Sequence, residues 1–298
     1  MPWYVFAAIT PVFYSFAIFL DKFIVDKKIR NPLSIIALLG MMSGIIGVII
    51  GLLTGFKFIG LTQTLLILLG GILYNWYLIP YFAAIKVDDV SRVVPLYQFL
   101  PVFTLIISTI FFKETLAFKQ IIGMGLVIFA GILLSVEKLD WRFLKPRKSL
   151  WLMIASCLMY GSVGLLFRFV SISASYWSMF SYEYIGAGLG GLILFALPNV
   201  RTDFMKDIKK FRSATGLLLA DKGSGWIAQM AENYAVTLVA VPLVNIVAGI
   251  QPAIILLMGL FFTRFFPHVI KENIQKHVLV QKIISIAIIL MGLYLVYL

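Results

Sequence analysis

The chain is written twice, and the unit that repeats is about five apolar stretches long. Tyr14, Lys22 and Phe23 recur as Tyr160, Arg168 and Phe169 at a spacing of 146. Gly40 and Gly44 recur as Gly186 and Gly190 at the same spacing. Pro101, with the apolar run that follows it to Lys113, matches Pro252 and Arg264 at 151, and Gln120 and Gly131 match Gln281 and Gly292 at 161. The pairs keep their order and their spacing grows slowly, as a duplication with small insertions would leave them. A unit with an odd number of membrane crossings sends its second copy in from the opposite side.

The stretches themselves run approximately Trp3–Leu20, Leu33–Gly55, Thr62–Ile85, Val90–Phe112, Phe118–Val136, Leu150–Val170, Tyr176–Leu197, Ala214–Thr237, Val241–Thr263 and Val278–Leu298. A helical span takes roughly 20 apolar residues. Hydrophobic residues make up 61% of the chain and charged residues 13%; a soluble domain carries roughly half and a quarter. The expected fold is therefore an all-α integral membrane protein, with about ten transmembrane helices as two inverted five-helix repeats. Residues 1–137 form the first repeat, 138–149 a basic linker and 150–298 the second. Connections are short, so little soluble chain remains to carry an enzyme. The first span lacks a basic segment before it and matches the sixth, so it reads as structure and not as a signal peptide.

The formal charge of +12 is no nucleic-acid signal, because the basic residues sort by membrane side. Of the 25 Lys and Arg, Lys57, Lys113, Lys119 and Arg168 lie on one side, Lys222 lies within a span, and the other 20 lie on the opposite side. Cytoplasmic loops carry the excess of basic residues. That rule places the loops after odd-numbered spans in the cytoplasm and both termini outside the cell membrane. The single cysteine, Cys157, excludes an internal disulfide and reads as a packing residue. His268 and His277 share one loop without nearby cysteine, which makes a metal site improbable. No cofactor is expected.

Between the repeats, Lys138, Arg142, Lys145, Arg147 and Lys148 mark a cytoplasmic linker that also suits anionic lipid. Asn199–Arg212 alternates Lys206, Lys209, Lys210 and Arg212 with Phe204, Met205, Ile208 and Phe211, as a short interfacial helix would. The second copy carries about ten extra residues around 265–277, read as a solvated loop. Gly40, Gly44, Gly47 and Gly51 share one face of the second span, and Gly186, Gly190 and Gly191 stand in the seventh. Small residues at this spacing let helix backbones approach closely, as static packing or as a seam that moves.

Residues 86–137 are the most telling stretch. A short polar turn leads to a span broken by Pro95 and Pro101, then to Phe112-Lys113-Glu114, then to Gln120, Gly123, Gly125 and Gly131. This resembles the EamA module of the drug/metabolite transporter superfamily, in which a glutamate closes one helix and glycines stud the next. The second copy is similar through Gln251-Pro252 and Gly292, but Phe265 stands where the first has Glu114, and the nearest acid is Glu272. The resemblance covers nearly the whole chain. It implies ten helices in two inverted bundles, a central cavity lined by both copies, and transport by alternating access, as exchange or proton-coupled movement.

Ionisable groups within spans are costly and by default face a cavity or each other. The eighth span is the outlier. Asp221, Gly225, Gln229 and Glu232 fall along one stripe, with Lys222 about 100° away on the face of Trp226 and Asn233. The stripe lines a cavity, or Lys222 pairs with an acid on a neighbouring helix such as Glu183. Gly223 and Gly225 offer a place for this helix to bend or unwind. Glu183 and Glu232 lie near span ends, where the wet interface is an equal alternative. Burial favours the neutral form of an acid, as proton coupling requires, and Asp221 is the acid best placed for it. Asn75, Trp76 and Tyr77 in the third span, and Tyr97 and Gln98 in the fourth, are polar-tipped or aromatic within apolar runs. Gln98 and Gln251 each lie ahead of a proline, which frees a carbonyl one turn earlier; a binding break and a plain kink are both open.

The expected function is secondary transport of a small metabolite, such as an amino acid or an organic cation. Three acids among aromatics suit a cation, Lys222 and Arg168 suit a carboxylate, and a zwitterion satisfies both. Expected partners are that small molecule and membrane lipids, with no nucleic acid, the chain acting as a monomer or a homodimer. A flippase for lipids or lipid-linked sugars is the alternative kept open by the basic loops. A membrane enzyme acting on lipids would need an interfacial cluster of His, Asp or Glu, which the sequence does not show. The absence of a GxxxxGK[ST] motif disfavours an ATP-driven pump.

Overall fold

The structure is a computed structural model and describes residues 2–25, 31–87, 93–135, 148–213, 215–265 and 276–297. Among these residues the chain is helical, without strands. α1 is Trp3–Val25, α2 Pro32–Thr54, α3 Leu61–Trp76 and α4 Leu78–Val87. A 3-10 turn at Val94–Phe99 leads into α5, Leu100–Phe112, followed by α6, Phe118–Ser135. The second half has α7 Lys148–Ser171, α8 Tyr176–Ala196, α9 Pro198–Ser213, α10 Thr215–Leu238, α11 Val241–Ala248, α12 Gln251–Phe265 and α13 Lys276–Tyr297. Most of the basic linker and of the 265–277 insertion lies outside the described residues.

Among the described residues, five helical stretches are long and apolar enough to cross a membrane: Pro32–Thr54, Leu61–Ala84, Lys148–Ser171, Tyr176–Ala196 and Val241–Gly259. Trp3–Ile18, Leu96–Phe112, Phe118–Leu133 and Val280–Val296 are shorter apolar helices. α10 has 24 residues, but Asp221, Lys222 and Glu232 interrupt its apolar character. The polarity of the bundle is that of a multi-pass membrane protein. Leu53, Ile110, Phe111, Leu192 and Met291 are exposed on its outside, while Thr10, Ser15, Asn75, Gln98 and Gln229 are buried within.

Helices of one half pack mainly on helices of the other. α2 lies along α8, α1 along α10, α3 and α4 along α7, α6 along α13, and α5 against α11. Each of these pairs joins a span of the first half to a span of the second. The α2–α8 seam explains the glycines. A Cβ added at Gly44 would stand 2.7 Å from the Cα of Gly188, and one at Gly40 2.8 Å from the Cα of Gly191. Gly47 lies against Ile185, so numbers fall on α8 as they rise on α2, and the two helices are antiparallel. α6 and α13 cross in the same sense, with Gly123 against Gly292. There Gln120 Nε2 donates to the Val296 carbonyl at 3.4 Å, and its counterpart Gln281 Nε2 to that of Leu133 at 2.8 Å.

The prolines break the helices where the cavity will lie. Pro80 has no N–H to give the Trp76 carbonyl, and the chain turns at Tyr77 between α3 and α4. Ser156 Oγ on α7 donates to the Tyr77 carbonyl at 3.0 Å. The fourth span is 3-10 before Pro101, and the ninth is interrupted at Gly249-Ile250 ahead of Pro252. α9 forms as expected. It turns Val200 and Phe211 into the bundle, leaves Met205 and Ile208 exposed, and is tied to α2 by Ser34 Oγ donating to the Val200 carbonyl at 3.1 Å.

Candidate functional site

A cavity of about 180 Å³ lies between the two halves. Its deeper wall holds Thr10 and Tyr14 of α1, Tyr160 of α7, Glu232 of α10 and Asn245 of α11. From there it runs past Tyr77, Tyr81, Tyr97 and Gln98 toward the end of the bundle where α10 begins, with Asp221, Lys222, Gly225 and Gln251 along its side. Both halves contribute walls. The broken third, fourth and ninth spans each present residues from their breaks.

Seven of the residues singled out in the sequence meet here: Asp221, Lys222, Glu232, Tyr77, Tyr97, Gln98 and Gln251. Gln98 packs against Gly131 and Gly249, and Gly249 is its own counterpart in the second copy. α10 is unbroken through Gly223 and Gly225, contrary to the expectation of a bend; nothing crowds either glycine, and the helix ladder continues. Trp226 turns away from the cavity and donates from Nε1 to Ser43 Oγ at 3.4 Å. Asn75 Nδ2 donates to the Ile36 carbonyl at 3.0 Å and Trp76 Nε1 to that of Gly190 at 3.1 Å, so both hold the α2–α3–α8 packing.

Glu183 is fully buried, not at a wet interface, because two amides of α10 solvate it. Gln229 Nε2 donates to its Oε1 at 3.3 Å, and Asn233 Nδ2 donates to its Oε2. Those partners stand two to three turns from Lys222, about 10 to 16 Å along the helix, beyond the reach of its side chain. Glu232 is also buried, 7% exposed, and accepts from Tyr160 Oη at 2.7 Å. Tyr160 Oη lies 3.1 Å from Tyr14 Oη, and Tyr14 donates to Gln229 Oε1 at 2.5 Å. A continuous string of hydrogen bonds thus joins Glu232 in the cavity to Glu183 behind it.

The end of the bundle opposite Asp221 is closed. Ala7, Leu165, Phe167, Val170, Val236, Val241 and Val244 form an apolar cluster there, with Trp3, Phe6 and Phe112 packed on it. Arg168 belongs to this closure and not to the cavity, which corrects its reading as a substrate ligand. Its Nη1 donates to the carbonyls of Val236 at 3.2 Å and Thr237 at 2.7 Å, at the C-terminus of α10. Its Nε stands 3.6 Å from Glu114 Oε1, and Ser108 Oγ donates to the other carboxylate oxygen. The glutamate that ends the fourth span therefore ties it to the sixth and eighth.

Sequence reasoning used Tyr14 and Tyr160 only to align the copies. They touch each other in the cavity wall, as counterparts do when they lie on the axis relating two halves. Their matched spacing of 146 was the available signal. Tyr74, Tyr81, Thr10 and Asn245 were also missed, and a lone tyrosine or asparagine in an apolar run carries no comparable mark.

Over residues 1–136 the sequence matches the EamA-like transporter family. An uncharacterized protein of Methanocaldococcus jannaschii is 31% identical over 138 residues, which cover 42% of this chain and 90% of that protein. Less than half of this chain thus spans nearly all of that relative. A solved crystal structure of a protein whose description names no function has 13% identity and a TM-score of 0.68. It covers 99% of this chain and 96% of its own, so one fold runs through both halves.

Proposed function

Because the chain belongs to the EamA-like transporter family, we propose that it is a secondary transporter of a small polar or amphipathic metabolite across the cell membrane. Two inverted five-helix repeats enclose one site and expose it to each side in turn. The observation that carries this reading is the cavity between the halves, lined by both, with Asp221, Lys222 and Glu232 among tyrosine rings. Such ionisable groups are costly inside a membrane unless a water-filled cavity or a ligand meets them. Neighbouring acid and base suit a zwitterion, and the ring faces suit its ammonium. The antiparallel α2–α8 and α6–α13 crossings support the inversion. With the basic loops in the cytoplasm, the cavity faces inward, and the cluster around Phe167 seals the outer end.

The test is reconstitution of the full chain in liposomes, with labelled metabolite pools and with or without a pH gradient. At least one solute is expected to move faster than in empty liposomes, and Asp221→Asn to slow it at least tenfold. No accelerated solute in any pool, or Asp221→Asn transport at the original rate, would overturn the reading.

A further inference from the structure

The string from Glu232 to Glu183 contains fewer protons than contacts. Tyr14 donates to Gln229 Oε1 at 2.5 Å, since the Gln229 amide nitrogen already donates to Glu183 and to Asn233 Oδ1 at 3.1 Å, and the Tyr74 hydroxyl also interacts with Tyr14. Tyr160 has one hydroxyl proton and two neighbours that want it, Glu232 Oε2 at 2.7 Å and Tyr14 Oη at 3.1 Å. A phenol donates once. With Glu232 ionised, the proton must go to the carboxylate, and the contact between the two tyrosines has none. With Glu232 protonated, its own O–H donates to Tyr160, and the Tyr160 proton turns to Tyr14. No covalent bond changes except the O–H formed on Glu232 from a proton delivered by the cavity.

On this ground we propose that Glu232, and not Asp221, is the proton-loading site of the transporter, and that the Tyr160–Tyr14 pair reads its state. Tyr14 is on α1 and Tyr160 on α7, counterparts in the two halves, so one proton on Glu232 decides whether these two hydroxyls are hydrogen-bonded to each other. Glu183 acts as a positioning residue, fixing the Gln229 amide so that Tyr14 must donate.

The surroundings of Glu232 permit the change of charge. Facing it are Tyr14 on α1, Tyr74 and Tyr77 of the broken third span, Tyr160 on α7 and Glu183 on α8. α11 presents Asn245 and no ionisable side chain. α9 meets α10 around Phe211 and Leu218, some four turns from Glu232. Asp221 differs, since Lys222 follows it in the same cavity, and an adjacent ammonium favours the carboxylate over the protonated acid. Lys222 stands ten residues from Glu232, about 15 Å along the helix.

The inference rests on the transporter reading, but its test needs no substrate. The protonated-carboxyl band of the full chain in liposomes is followed by infrared difference spectroscopy from acid to alkaline pH, and the amide band of the same spectra reports folding. A titrating carboxyl band is expected that disappears in Glu232→Gln and survives in Asp221→Asn. Tyr160→Phe removes a donor to the ionised form, so the band persists to more alkaline pH. Tyr14→Phe touches no carboxylate, yet it is expected to move the midpoint as well, by a smaller amount. Glu232→Asp should restore a titrating band with a displaced midpoint. A band lost in Asp221→Asn instead of Glu232→Gln, or a midpoint unmoved by Tyr14→Phe, would overturn the proposal. Failure to transport any solute while the band behaves as expected would count against the transporter reading alone.

Discussion

Arg168 shows how a charge in an apolar helix can be structural. Its guanidinium serves two carbonyls of α10 and the Glu114 carboxylate at once, and hydrogen bonds to charged groups contribute about 1.5 to 3 kcal/mol each. Arg168→Ala is expected to lower the stability of the detergent-solubilised protein by about 2 kcal/mol. Glu114→Gln should cost less, because the guanidinium keeps both carbonyls. Thermal unfolding of the two variants decides the point, and equal losses would show that the ion pair is the stronger half. The stripe of Asp221, Gln229 and Glu232 was legible in the sequence, because ionisable groups in a span must turn inward. The burial of Glu183 was not, since its partners Gln229 and Asn233 lie some 50 residues away on another helix. Pairing across helices is set by packing, which no local pattern encodes.

Among the elements, two kinds of glycine behave oppositely. Gly44 has no room for a side chain, with the Gly188 Cα 2.7 Å from where its Cβ would stand, whereas nothing lies within 4 Å of a Cβ at Gly223. Gly44→Ala is expected to destabilise by about 1 to 3 kcal/mol through overpacking. Gly223→Ala should stabilise by up to about 1 kcal/mol through helix propensity. The same thermal measurement reads both, and a loss at Gly223 would point to a conformation of α10 in which that glycine bends. The sequence marked the α2 and α8 glycines by their repeat, and it marked the breaks ahead of Pro101 and Pro252 by residue type, whereas the break at Pro80 went unmarked. It suggested a bend in α10 that is absent, because glycine permits bending without compelling it.

For the molecule as a whole, the packing is of the kind a duplication would leave, since the principal pairs join a span of the first half to one of the second. Which end of the bundle holds the cavity did not follow from the sequence, because both halves carry the same helices and only their tilt decides. Orientation is testable by tagging. A reporter fused after Leu298 is expected to be accessible from outside intact cells, and one placed in residues 138–147 only after permeabilisation. The reverse pattern would put the cavity on the outer side and the Arg168 closure on the inner.

The seam between α2 and α8 has a further consequence. Where Gly44 meets Gly188 the two helices have no side chains to interlock, although one turn away Ser181 Oγ donates across the seam to the Gly47 carbonyl at 2.7 Å. For the proposed alternating access, their contact would serve as a fulcrum. With the cavity toward one end of the bundle and the Arg168 closure at the other, a small rocking about Gly44 and Gly188 would pinch one end as it spreads the other. A side chain at either glycine would act as a wedge in the pivot.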